Sequence, residues 1–315
     1  MLLKDLTVGS TISDVVVLVN SAEQKKTKTG KAYIVARMQE KALIIPTNFW
    51  NMTKEAAISK GIGTGKMIKI LSGKVSSYNG SKQLEINDFS PVSDDDFDRN
   101  LLEQSAPVSK NEMTQFVNSQ INEMQNPVWK NIVNTLIDKV SDYYDAPAAK
   151  MMHHAFKSGL AFHSTTMAKG AIALSGIYPQ LNKELMVATA LIHDMGKTLE
   201  IENDDTRDYT FEGKLIGHIS ILDGWLTDII SSYEKGTDEY QDAVLLRHMV
   251  LSHHGLLEYG SPVMPKILEA EVLHTLDALD AKVEMISEAL DAVDTNEWTE
   301  KVFGADNRSF YKFHN

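Results

Sequence analysis

The sequence predicts a multidomain chain of mixed α and β class, in which a small five-stranded barrel precedes an all-helical domain. Three observations predict this. Between Gly9 and about Pro91, short β-branched runs alternate with turn residues. From Pro147 onward, apolar residues recur at helical spacing. All ten histidines lie beyond residue 150, so chemistry that needs imidazole is confined to the second part. At 315 residues the chain is long enough for about two domains. The expected divisions are a barrel over 1–92, a linker with connecting helices over 93–145, and a helical domain with a C-terminal tail over 146–315.

In the first part the expected strands are Thr11 to Val19, Ala32 to Met38, Ala42 to Phe49, Lys66 to Ser76 and Gln83 to Phe89, with a short helix over Met52 to Lys60. Lys28-Thr29-Gly30-Lys31 and Tyr78-Asn79-Gly80-Ser81 are hairpin signals, because Asn-Gly suits the positive φ angles of a type I′ turn. Five strands with a helix between the third and fourth form the pattern of an OB barrel. Alternation along the second strand sends Ile34, Ala36 and Met38 to one face and Tyr33, Val35 and Arg37 to the other. A barrel buries the first set. Tyr33 and Arg37 are then candidates for stacking on bases and contacting phosphate, or they cover the barrel rim. Phe49 and Trp50 read as core or inter-domain packing.

Ser93-Asp94-Asp95-Asp96-Phe97-Asp98 is an acidic, solvated linker. Ser109 reads as the cap of a helix over Asn111 to Glu123, and Pro127 favours the start of another over Val128 to Tyr144. Beyond Pro147, Leu160, His163, Met167, Ala171 and Leu174 share one helical stripe, which places His163 on an inward face.

The bulk composition narrows the function classes. Forty-three per cent of residues are hydrophobic and none is cysteine, so disulfides, thiolate metal sites and cysteine nucleophiles are excluded. A metal has only His, Asp and Glu for ligands. No apolar run approaches the roughly 18 residues of a membrane span, and the N-terminal Met1-Leu2-Leu3-Lys4-Asp5-Leu6 lacks a long apolar signal segment; a cytoplasmic protein with no membrane partner is expected. The net charge of −12 conceals an asymmetry: residues 1–90 hold 13 Lys+Arg against 7 Asp+Glu, leaving 18 against 36 for the rest. A locally basic front suits a polyanion partner, or is a solvated lysine-rich surface.

The centre of the second part is Leu191-Ile192-His193-Asp194-Met195-Gly196-Lys197, an imidazole and a carboxylate together at the buried end of an apolar helix. Such a pair costs several kcal/mol unless both groups are partnered or bind a metal. Other candidates follow in order: His163, His218, His253-His254, and Asp277 or Asp280. Histidines and carboxylates from several helices make binuclear sites for divalent ions. For the last carboxylate, a helical wheel through Val272, Leu276, Leu279, Val283, Ile286 and Leu290 favours Asp280. The edge of a core, where a metal cavity lies, favours Asp277, which is the preferred reading, with Asp280 orienting a ligand from behind.

These residues carry resemblances. Lys28-Thr29-Gly30-Lys31-Ala32-Tyr33, Phe49-Trp50-Asn51 and Lys74-Val75-Ser76-Ser77-Tyr78-Asn79-Gly80-Ser81-Lys82-Gln83-Leu84 resemble nucleic-acid-binding OB folds related to anticodon-binding domains, although Gln39-Glu40-Lys41-Ala42 lacks their Asp-x-Thr-Gly turn. His163, His193-Asp194, His218, His253-His254 and Asp277 resemble, in order and spacing, the HD superfamily of metal-dependent phosphohydrolases. That likeness implies two metals bridged by Asp194, one completed by His163, His193 and Asp277, the other by His218, His253 and His254. Together with His153-His154-Ala155-Phe156, Arg247-His248-Met249-Val250-Leu251-Ser252 and the tail Asn307-Arg308-Ser309-Phe310-Tyr311, the chain resembles the YhaM family of 3′-to-5′ exoribonucleases along its whole length. The resemblance implies hydrolysis of single-stranded RNA, with DNA as an alternative strand. Two divalent ions are implied, Mn²⁺ foremost, with Mg²⁺, Fe²⁺ and Co²⁺ as alternatives. Lys197 is placed to neutralise phosphoryl charge, and Arg247 and His154 are candidates for contacting substrate phosphate. The aromatic tail reads as a contact in a homo-oligomer. Two other functions fit part of the pattern: an HD hydrolase of small or cyclic nucleotides, and a non-catalytic nucleic-acid-binding protein.

Overall fold

The computed structural model describes residue 3 and residues 6–314 apart from 42, 79, 80, 151–153, 205 and 206. The Asn79-Gly80 turn, the expected strand start at Ala42, His153 and most of the N-terminal segment read for a signal lie outside the described residues. The chain forms two compact units, Met1–Ser105 with Asp204–Thr206, and Ala106–Asn203 with Arg207–Asn315. Among the described residues no helix is long and apolar enough to cross a membrane.

The first unit is a closed barrel. Its strands are β1 (Thr11–Ile12), β2 (Val15–Lys26), β3 (Ala32–Glu40), β4 (Leu43–Trp50), β5 (Met67–Tyr78) and β6 (Ser81–Val92), with helix α1 (Lys54–Ser59) between β4 and β5. The strand order is β1-β5-β2-β3-β4-β6, and pairing of β5 with β6 closes the five long strands on themselves. Among the described residues only the closing β4–β6 pair is parallel, at Thr47 opposite Leu84. There the buried Thr47 hydroxyl donates to the Leu84 carbonyl at 2.8 Å, so that this buried hydroxyl is satisfied at the seam. The expected first strand divides in two, because Asp14 takes a left-handed φ of 57° that interrupts the ladder. As alternation requires, Ile34, Ala36 and Met38 are buried with Val17, Ile68, Ile70 and Leu84, while Arg37 faces solvent. Trp50 departs from its expected packing role. Phe49 enters the core, so its neighbour on the strand must point outward, and Trp50 is 59% exposed.

The second unit is helical: α2 (Lys110–Glu123), α3 (Pro127–Lys139), α4 (Gly159–Ile177), α5 (Lys183–Ile192), α6 (Lys197–Glu200), α7 (Phe211–Ile216), α8 (His218–Ile230), α9 (Asp238–Ser252) and α10 (Leu268–Asp291). Ser109 and Glu112 cap α2 reciprocally, and Pro127 opens α3, where its missing N–H is harmless. α3 stops at Lys139, short of the expected Tyr144, because the chain turns to bury Tyr143, whose hydroxyl donates to the Leu191 carbonyl at 3.0 Å. From Leu185 to Ile192 every residue of α5 is buried, and the core gathers around that helix. The apolar stripe expected along α10 is buried only as far as Leu276. Its inward face runs Leu273, Leu276, Asp277, Asp280, and that register leaves Leu279 and Val283 outside. The tail pairs with itself, Trp298 opposite Tyr311 and Val302 opposite Arg308.

Candidate metal centre

Asp194 directly follows His193, the C-terminal cap of α5, and is buried. Its two carboxylate oxygens face two different sets of donors. On the Oδ2 side lie His193 Nε2 at 3.4 Å, His163 Nε2 at 3.7 Å and the Lys197 ammonium at 2.6 Å. The two imidazole nitrogens are 3.2 Å apart, and Asp277 Oδ1 lies 3.3 Å from that of His163. On the Oδ1 side lie His218 Nε2 at 3.4 Å and His253 Nε2 at 3.5 Å. His254 joins this half: one ligand atom each of His218, His253 and His254 falls within a 4.8 Å span, as do those of His163, His193 and Asp277.

Local sequence explains how such polar groups come to converge. His193 and His253 occupy the same position in two helices, each the C-cap of an apolar run and each with Nδ1 donating to the carbonyl three residues back, Ala190 at 3.0 Å and Val250 at 2.7 Å. The ring is thereby folded against its own helix end with Nε2 pointing outward. Gly196 lets α8 approach, because a Cβ there would lie 2.1 Å from the His218 carbonyl oxygen. Gly255, at φ +77°, turns the chain after His254 where any side chain would strike the His274 ring.

In all five histidines Nδ1 meets an acceptor. The Tyr259 carbonyl takes that of His254 at 2.8 Å, Asp280 that of His163 at 2.7 Å, and Glu200 that of His218 at 3.0 Å. Since carbonyls and carboxylates only accept, Nδ1 carries a proton in each ring and Nε2 is the atom turned inward, the arrangement that fixes metal-binding imidazoles. Asp194 Oδ1, His218 Nε2 and His253 Nε2 are buried without any hydrogen-bond partner. Three acceptor atoms turned toward one another fit a cation and leave a dry core unfavourable. The cluster is therefore a fitting donor set for divalent metal.

The electrostatics agree with that fit. Burial raises the Asp194 carboxyl, but Lys197 and His193 outweigh it and hold it well below the usual range. Asp277 is likewise depressed against its burial, by His163. Burial and the neighbouring His253 push His254 down to about 4, and burial lowers His253 as well, so both imidazoles stay neutral. His163 moves the other way, to about 9, because its bonds to Asp277 and Asp280 overcome burial. A proton on its Nε2 is what a bound metal ion displaces.

His163, His193, Asp194, Lys197, His218, His253, His254 and Asp277 thus come together. Asp280 stands behind His163. The two residues expected to reach substrate phosphate are directed elsewhere: Arg247 is held by both oxygens of Asp223, at 2.5 and 2.9 Å, and His154 is buried with Nε2 donating to Asp280 at 2.8 Å. Glu200 escapes sequence reasoning. Its carboxylate also accepts the His218 backbone N–H at 3.1 Å, yet in the sequence it is one of two glutamates flanking Ile201. On the barrel, Trp50 lies directly across from Tyr33 and stacks on it, ring centroids 4.8 Å apart and planes 23° from parallel.

The HD domain family model matches residues 160–282, which include every donor of the cluster. The chain is 37% identical over 310 residues to the 3′-5′ exoribonuclease YhaM of Bacillus licheniformis and, equally, to that of Bacillus subtilis (strain 168), in each case covering 96% of this chain and 95% of the relative. It is 35% identical over 311 residues to the protein of the same name from Listeria innocua, covering 98% of this chain and 97% of the relative.

Proposed function

This chain belongs to the YhaM family of 3′-5′ exoribonucleases, and from that membership we propose that it hydrolyses single-stranded RNA from the 3′ end, accepting DNA as a second strand type and releasing nucleoside 5′-monophosphates. The observation that carries the reading is the buried, unpartnered trio of Asp194 Oδ1, His218 Nε2 and His253 Nε2, set back to back with a second donor group on Oδ2. We assign His163, His193 and Asp277 to one divalent ion and His218, His253 and His254 to another, with Asp194 shared. Nitrogen and oxygen donors without thiolate suit Mn²⁺, and Mg²⁺, Fe²⁺ or Co²⁺ in its place. When bound, such ions supply Lewis-acid polarisation of a phosphoryl oxygen and an acidified water.

The chain's own groups supply the rest. Lys197 keeps its ammonium beside Asp194, with its pKa raised: burial lowers it, but the Asp194 charge prevails. A fixed cation there stabilises negative charge as it builds on the phosphoryl oxygens. Asp280 and Glu200 hold His163 and His218 in the tautomers that face inward. In the barrel, Tyr33 and Trp50 offer an aromatic surface to bases and Arg37 a charge to phosphate. That grip weakens as salt rises. A part of the chain as acidic as the helical unit benefits from a separate, basic hold on a polyanion.

The test uses 5′-labelled single-stranded RNA with and without Mn²⁺, alongside Asp194→Asn. A metal-dependent ladder shortening from the 3′ end and absent in the variant is expected. Intact RNA with metal bound would move the assignment to a hydrolase of small or cyclic nucleotides. Intact RNA with no metal bound would leave a binding protein.

A further inference from the structure

The metal cluster is sealed unevenly. In the half on Asp194 Oδ1, His253 is buried but His218 and His254 are only partly so, their rings 5.2 Å apart; in the other half His163 and His193 are buried and Asp277 is partly exposed. The backbone on each side of this open half carries large apolar side chains into solvent. On one side α7 runs directly into His218 through Gly217 and exposes Phe211 (75%), Leu215 (69%) and Ile216. On the other, the turn after His254 exposes Leu257 and Tyr259 (63%). This turn is not loose. Leu257–Tyr259 form a short 3-10 helix, and the Tyr259 carbonyl accepts from His254 Nδ1 at 2.8 Å, so the residue that orients a metal-facing imidazole also carries the exposed ring. Among the described residues the Tyr259 phenol has no hydrogen-bond or ring partner, and it follows His254 by a single turn of chain.

Resting on the exoribonuclease reading, we infer that Tyr259 is a stacking platform for a base at the 3′ end of the strand, positioning the last phosphodiester over the open His218–His254 half of the cluster. The occupant is a nucleobase because, on that reading, the strand's terminal phosphodiester must reach that half, and the exposed Tyr259 ring beside His254 offers a π face on which its base can stack. Stacking is tolerant of sequence, since every base offers a π face. Tyr259 acts on where the substrate lies.

The test compares an RNA oligomer with the same oligomer carrying an abasic residue at its last or next-to-last position, using the full-length, Mn²⁺-loaded protein. Wild type is expected to show a KM raised about tenfold by the abasic residue at one of the two positions. In Tyr259→Ala the intact oligomer already shows the raised KM and the abasic penalty falls below about twofold; Tyr259→Phe restores the wild-type pattern. An alanine variant that still discriminates tenfold overturns the inference, as does a wild type without a penalty at either position. The same cycle read by equilibrium anisotropy separates the two claims. Base discrimination that depends on Tyr259, without any cleavage by wild type, overturns the exonuclease reading alone.

Discussion

The barrel and the helical unit carry their functional residues in opposite ways. In the barrel, Tyr33, Arg37 and Trp50 stand outside the apolar cluster that holds Ile34, Ala36, Met38 and Phe49. In the helical unit the functional groups are themselves interior: His163, His193, Asp194 and His253 lie among the side chains of α4, α5 and α9. A surface site can be altered without touching stability. A buried one is part of the fold, and each of its members must be satisfied by a hydrogen bond, an ion pair or a bound cation.

The sharpest way to break this contrast is Asp194→Asn. Loss of roughly 10²- to 10³-fold in RNA hydrolysis is expected, of the order seen when one electrostatic stabiliser is removed from an active site, and initial rates on an RNA oligomer measure it; activity within tenfold of wild type would remove Asp194 from the centre of the site. Metal removal comes next. Saturating Mn²⁺ at about 1,000 times its Kd should stabilise the unit that binds it by about 4 kcal/mol. In calorimetry a chelator is expected to lower the unfolding transition of the helical unit and leave that of a separately expressed barrel unmoved. Equal shifts in both would refute the division. Asp280→Asn and Glu200→Gln should each weaken Mn²⁺ binding by roughly 10- to 100-fold, since each leaves one imidazole without its orienting carboxylate; titration calorimetry reads the change, and unaltered affinity would reduce both to bystanders. The smallest effect belongs to the barrel. Trp50→Ala is expected to weaken binding of single-stranded RNA by about 1–3 kcal/mol with no change in the barrel's thermal midpoint, and a lowered midpoint would show that Trp50 is structural after all.

The contrast also explains what could be read in advance. Period-two alternation made the inward face of β3 legible, and helical spacing placed His163 on a buried stripe, because both patterns are properties of a single element. Ser109 was equally local, a cap with its glutamate three residues on. What escaped depends on contacts between elements. Glu200 matters because α6 lies against the start of α8. Arg247 is taken by Asp223 on a neighbouring helix, and His154 sits behind Asp280. The wheel drawn for α10 turned Asp280 inward, as the structure does, but misplaced Leu279 and Val283, because the inward face carries the carboxylate that meets His154 and His163 and no periodicity of leucines announces that. Trp50 was misjudged by residue type, although its place in the alternation already pointed outward.

One consequence concerns mutational drift. Of the five imidazoles in the cluster, His193, His253 and His254 are steered by main-chain carbonyls, which no substitution of a side chain deletes. His163 and His218 alone are steered by carboxylates, Asp280 and Glu200. Each half of the cluster therefore contains one arm that a single base change can disorient and others that are written into the backbone. A lineage losing this activity gradually would leave its trace first at positions 200 and 280, while the histidines were still in place.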